Sequence, residues 1–177
     1  MELAREQRTG SVTEAYDLAL SQLAAALEET LGPNRVTAGQ SLARHTSLRI
    51  GGPADLLITV RSAESLRRAT KLAWDHGVAC RVLGGGANVL VSDAGVRGLT
   101  ILNRARDVAF SSHSVIAESG ASFSTVARLC IARGLAGLEW AIGIPGTVGG
   151  AVVGNAGAWG GDVASTLRRA TILEQPG

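Results

Sequence analysis

The sequence predicts an α+β chain, and three observations carry that prediction. A stripe of apolar residues at helical spacing opens it, short β-branched runs then alternate with a single helix, and a shorter version of that alternation restarts near residue 107. Tyr16, Leu20, Leu23, Leu27 and Leu31 fall on one face of a helix over 13–31, with Thr13 as its cap and Gly32-Pro33 as its stop. A polar connector over 34–44 leads to an extended stretch, His45–Ile50, and a turn at Gly51-Gly52-Pro53. Leu56–Val60 reads as a strand. Ser62 caps the next helix, which carries Leu66, Ala69, Leu72 and Ala73 and closes at His76-Gly77. Strands are then expected at Cys80–Leu83, Val89–Val91 and Leu99–Leu102. Beyond Asp107 the pattern predicts a hairpin of Val108–Phe110 with Val115–Ala117. A helix capped by Ser122 follows, then a short strand at Ala170–Leu173 and a type II turn at Pro176-Gly177.

The 177 residues suffice for a buried core, and 46% of them are apolar. The net charge is +2, with no basic run, so nothing marks a nucleic-acid surface. Cys80 and Cys130 lack the spacing of a metal knuckle, and Cys130 shares a helix face with Val126, which predicts a reduced, buried thiol. His45, His76 and His113 do not cluster, so no metal site is expected. Residues 1–10 are charged and polar, unlike a signal peptide, and the expected location is the cytoplasm. Residues 140–161 carry no charge, yet eight of them are glycine, a composition that argues against a membrane-spanning helix.

Glycine is the compositional outlier, with 23 residues, and it concentrates in two tracts. The first, Gly84-Gly85-Gly86-Ala87-Asn88-Val89-Leu90, lies between strands. Without Cβ atoms, its backbone N–H groups can converge on an anion such as a pyrophosphate; a plain turn between strands is the competing reading. No Lys follows these glycines, and Val89 stands where a dinucleotide fingerprint needs glycine, so neither phosphate-loop motif fits. The second tract is Gly143-Ile144-Pro145-Gly146-Thr147-Val148-Gly149-Gly150-Ala151, continuing to Asn155 and Gly157. So flat a backbone suits a planar ring, or else close packing against a helix or a partner subunit. Glu139, isolated in this uncharged region, is expected to pair with Arg49.

Taken together, three stretches resemble the UDP-N-acetylenolpyruvoylglucosamine reductase (MurB) family. They are His45-Thr46-Ser47-Leu48-Arg49-Ile50-Gly51-Gly52-Pro53-Ala54, then Gly84–Leu90, then Gly137-Leu138-Glu139 through Asn155-Ala156-Gly157-Ala158. The resemblance implies the two-subdomain FAD-binding fold of the vanillyl-alcohol-oxidase type, preceded by an N-terminal helix. It divides the chain into a helix and connector (1–40), a first FAD-binding subdomain (41–106) and an incomplete second one (107–177), with the C-terminal substrate domain absent. Non-covalent FAD is implied, its pyrophosphate on Gly84, Gly85, Gly86, Ala87 and Asn88, with Val89 and Leu90 also in the cofactor set. The flavin would lie against Gly143, Ile144, Pro145, Gly146, Thr147, Gly149 and Gly150, with Ala151, Asn155 and Gly157 completing the cofactor set.

The family's reaction takes hydride from NADPH and passes it through the flavin to the enolpyruvyl group of a UDP-sugar, giving the peptidoglycan precursor UDP-N-acetylmuramate. Ala87 replaces a serine common in the family, and Trp159 a tyrosine. The family's catalytic arginine, serine and glutamate lie beyond the Asn-Ala-Gly-Ala motif and match nothing here; Arg168 and Arg169 come too early. The chain therefore reads as truncated, with no catalytic residue of its own and no expected turnover. A flavin-binding module without turnover, or a flavin oxidase of the same fold, are the alternative readings.

Overall fold

The computed structural model describes residues 2–175. Helix α1 (Glu2–Leu31) begins upstream of Thr13, which therefore lies inside the helix and not at its cap. Leu23 and Leu27 on the expected stripe are fully buried, and Leu20 and Leu31 pack beside them. Gly32, at φ +98°, ends the helix.

Where the polar composition predicts a connector, residues form an edge strand, β1 (Val36–Ser41), antiparallel to β2 (Pro53–Val60). Leu42–His45 makes one turn of 3-10 helix. The following residues turn instead of extending: the Thr46 hydroxyl donates to the Ile50 carbonyl at 2.8 Å, and Arg49 adopts φ +56°.

Helix α2 (Ala63–Asp75) starts where Ser62 Oγ accepts the Ser65 N–H. It ends at His76, whose Nδ1 lies 2.8 Å from the Leu72 carbonyl, and Gly77 at φ +65° releases the chain. Strands β3 (Cys80–Leu83) and β4 (Val96–Asn103) complete a sheet ordered β1-β2-β4-β3, in which β2, β4 and β3 run parallel. Central β4 is buried without a break from Gly98 to Asn103, as a parallel strand covered on both faces should be. On one face Leu56, Ile58, Val60, Leu99 and Ile101 pack under α1 and α2. On the other, Leu42, Ala54, Leu57, Leu83, Val91 and Leu102 form a smaller cluster. Val89–Val91 is not a strand: Val91 anchors in that cluster, while Val89 and Leu90 are exposed.

Strands β5 (Val108–Phe110) and β6 (Val115–Ala117) form the expected hairpin. Helix α3 (Phe123–Ile131), capped by Ser122, packs Val126 and Cys130 against it. Both cysteines are free, and burial raises each thiol pKa. A 3-10 turn (Glu139–Ala141) leads to α4 (Val148–Val153), the short β7 (Gly157–Ala158) and β8 (Gly161–Asp162) pair, and α5 (Val163–Thr166). Ala170–Leu173 forms no strand and lies exposed. The turn expected at Pro176-Gly177 lies outside the described residues. Among the described residues, no helix is long and apolar enough to cross a membrane.

Candidate functional site

Three parallel strands finish at one edge of the sheet. The connections leaving β2, β3 and β4 begin with Arg61, Gly84 and Arg104. Beyond the carboxyl ends of parallel strands is where open sheets commonly hold ligands.

The Gly84–Leu90 loop is seated there by close backbone contacts. Gly86 has φ +66°, and a Cβ on it would collide with the His45 carbonyl and stand 2.9 Å from Thr46 Cα. The Ser47 N–H donates back to the Gly86 carbonyl at 3.0 Å. Among the described residues, the N–H groups of Gly85, Gly86, Ala87 and Asn88 find no acceptor. Four consecutive N–H groups without acceptors on a glycine turn are donors available to an anion.

The second tract meets this loop directly. A Cβ on Gly85 would stand 3.1 Å from Gly146 Cα, and one on Gly84 would run into Thr147 Oγ1. Ala87 Cβ lies 3.6 Å from the corresponding position on Gly146. The tract is held by the α3 region: Phe123 N–H donates to Gly146 O, Val148 N–H to Ala121 O and Gly149 N–H to Ser119 O. Thr147 Oγ1 caps α4 by accepting the Gly150 N–H. The Gly143 N–H donates to Ser124 Oγ at 3.1 Å, and the space around its Cα is open. Ile144 is half-buried and Pro145 exposed.

Other expected site residues sit further along the tract. Ala151 is buried with Phe123, Ala127, Ala141 and Val163. Asn155 Oδ1 accepts the Ala164 N–H at 2.9 Å, and its Nδ2 donates to Asp162 Oδ2. Gly157 lies in β7, where a Cβ would stand 2.9 Å from the Gly161 carbonyl. Glu139 does not pair with Arg49; its Oε2 accepts the nearby Gly137 N–H at 2.8 Å. A short local acceptor role satisfied that carboxylate, which spacing alone does not reveal.

Electrostatics single out two residues that sequence reasoning did not place in the site. Arg104 Nη1 donates to the Gly84 carbonyl at 2.6 Å and to the Asn103 carbonyl at 3.1 Å. Burial, with Arg106 and Arg61 nearby, lowers its pKa. His45 also has a lowered pKa, through burial first and then through Arg104 and Arg44. Its Nε2 is buried without a partner. His45 lines a cavity of about 240 Å³ with Thr37, Gln40, Leu57, Thr59 and Leu102. Free N–H donors, a glycine surface that only Cβ-less residues permit, basic side chains and an orphaned imidazole nitrogen together fit an anionic dinucleotide such as FAD. The signal that could have found Arg104 is an arginine closing an apolar strand that runs toward a glycine loop.

Comparison with known proteins agrees with this geometry. Residues 54–177 match the model of an FAD binding domain. The chain is 52% identical over 136 residues to the UDP-N-acetylenolpyruvoylglucosamine reductase of Rubrobacter xylanophilus, covering 76% of this chain and 46% of that protein. It is 38% identical over 157 residues to the enzyme of the same name from Exiguobacterium sibiricum, covering 88% and 52%. The chain thus spans about half the length of the curated relatives it matches. Its structure is similar to that of UDP-N-acetylenolpyruvylglucosamine reductase from Thermus caldophilus, with a TM-score of 0.61 at 37% identity over 73% of this chain and 46% of that one. Alkyldihydroxyacetonephosphate synthase shares the fold, with a TM-score of 0.59 at 18% identity over 82% of this chain and 32% of that one.

Proposed function

Since the chain belongs to the FAD binding domain family, we propose that it forms the flavin-holding portion of a UDP-N-acetylenolpyruvoylglucosamine reductase. The observation that carries this reading is the meeting of the two glycine tracts, with Gly85 seated on Gly146 beside four unpaired backbone donors. Residues 41–106 and 107–177 act as the two lobes of the site. Gly85, Gly86, Ala87 and Asn88 offer their N–H groups to the dinucleotide phosphates, with Gly84, Val89 and Leu90 setting the loop's course. Gly143–Ala151 presents a surface narrow enough for a planar ring to approach, and Asn155 and Gly157 keep the following segment in place. When bound, FAD supplies hydride transfer from NADPH to the enolpyruvyl group of a UDP-sugar, in peptidoglycan synthesis within the cytoplasm. The protein's part is orientation of that cofactor and exclusion of water from it. No linkage to a side chain is involved, so the cofactor should be released on denaturation.

Titration of the purified chain with FAD tests this. Quenched flavin fluorescence at one equivalent, and recovery of intact FAD from the denatured complex, are the expected results. A chain that remains colourless and takes up no FAD would overturn the reading.

A further inference from the structure

Arg104 stands out among the cations of the described residues. It is half-buried, yet no carboxylate lies within ion-pairing distance of it, the ion pairs there being Glu64–Arg67 and Asp55–Arg97. The charges that bear on it are Arg61 and Arg106, and it in turn acts on His45, so its charged neighbours share its sign or are neutral bases. A partly desolvated guanidinium among cations is unfavourable unless something negative joins it.

Its position is nevertheless well defined. Nη1 is held between the Gly84 and Asn103 carbonyls. Asn103 is itself buried and fixed, donating from Nδ2 to Ser119 Oγ at 2.8 Å and accepting the Ala105 N–H on Oδ1. Guanidinium has five N–H donors, and those on Nε and Nη2 meet no acceptor among the described residues. The grip on Gly84 O also fixes the peptide that opens the loop of free N–H groups.

We propose that Arg104 is the counter-charge and the loop anchor of the dinucleotide site: its guanidinium complements the diphosphate of the bound cofactor while its Nη1 holds Gly84 in place. The inference rests on the FAD reading above and assigns a specific residue to the phosphate end. Arginine suits both tasks because its fork can hold a carbonyl and a phosphate at once.

The test compares Arg104→Gln and Arg104→Lys with the parent chain, using FAD and ADP as probes in calorimetric titrations at several NaCl concentrations, with adenosine as the uncharged control. Arg104→Gln should weaken both FAD and ADP at least tenfold, leave adenosine within twofold, and reduce the salt dependence of FAD binding. Arg104→Lys should fall between, because one ammonium cannot serve the Gly84 carbonyl and a phosphate equally. Circular dichroism reports whether each variant folds; if Arg104→Gln does not, a threefold or greater loss of ADP affinity in Arg104→Lys supports the assignment. Binding of FAD and ADP unchanged in a folded variant, or an equal loss of adenosine, overturns it. A parent chain that binds no FAD overturns the underlying reading instead.

Discussion

The Tyr16 hydroxyl donates to Asp55 Oδ2 at 2.8 Å, the same oxygen that accepts the Gly98 N–H at 2.8 Å. Arg97 reaches Asp55 Oδ1 at 3.1 Å and lies over the Tyr16 ring, 4.8 Å from its centroid. This cluster fastens α1 to the sheet where the β2–β4 register breaks between Ala54 and Leu56. Burial, and then Asp55, raise the Tyr16 pKa, so the phenol stays a donor at neutral pH. Tyr16→Phe keeps the ring and should lower stability by about 1 kcal/mol. Asp55→Ala leaves the Tyr16 hydroxyl and the Gly98 N–H without their acceptor, removes the Arg97 ion pair, and should lower it by about 2–3 kcal/mol. Urea midpoints at unchanged slope measure both.

Two glycines with similar dihedral angles should respond differently to alanine. Gly143, at φ +88°, has open space around it, so Gly143→Ala should cost only the left-handed strain of about 1 kcal/mol. Gly86, at φ +66°, faces the His45 carbonyl, and Gly86→Ala should cost about 3 kcal/mol because backbone must move. Thermal unfolding of the two variants gives the ranking, and equal losses would contradict the packing described.

His45 predicts a pH effect of definite sign. Its folded pKa lies below the 6.5 of a free imidazole, so the unfolded chain takes up the proton more readily. Its contribution to stability is therefore intact above pH 6.5 and is lost as pH falls from there through the folded pKa. His45→Asn should narrow the difference in urea midpoint between pH 7.5 and pH 5.5. A variant whose difference equals that of the parent would show that other groups carry the acid sensitivity.

The two helix caps offer a comparison with Glu139. Ser62→Ala and Ser122→Ala each leave a first-turn N–H without its acceptor, and each should lower stability by about 1 kcal/mol. Glu139→Gln retains an acceptor for the exposed Gly137 N–H and should change stability by less than about 0.5 kcal/mol. Denaturant titrations of the three variants separate these cases.

Elements that bury an apolar face were legible from residue order. Leu23 and Leu27, the Cys80–Leu83 strand, the β5–β6 hairpin and both serine caps all follow periodicity or cap chemistry. Strand β1 was not legible, because Thr37, Ala38 and Gly39 form an exposed edge with no alternation to read. Val89-Leu90-Val91 misleads in the opposite direction: the run looks like a strand, yet only Val91 enters a core. In the candidate site, glycine counting points to both tracts, but Gly85 against Gly146 is a contact between residues far apart in sequence. Arg104 has the same cause: an arginine's lack of a carboxylate partner exists only in three dimensions.

The parallel course of β2, β4 and β3 brings three successive connections to a single rim, while α1 and α2 pack on one face of the sheet. The core beneath α1 and α2 and the loops of the candidate site therefore draw on different sets of residues. Leu56, Ile58 and Ile101 lie in that core and not in the connections at the rim, so a change of loop side chain there meets none of their packing directly.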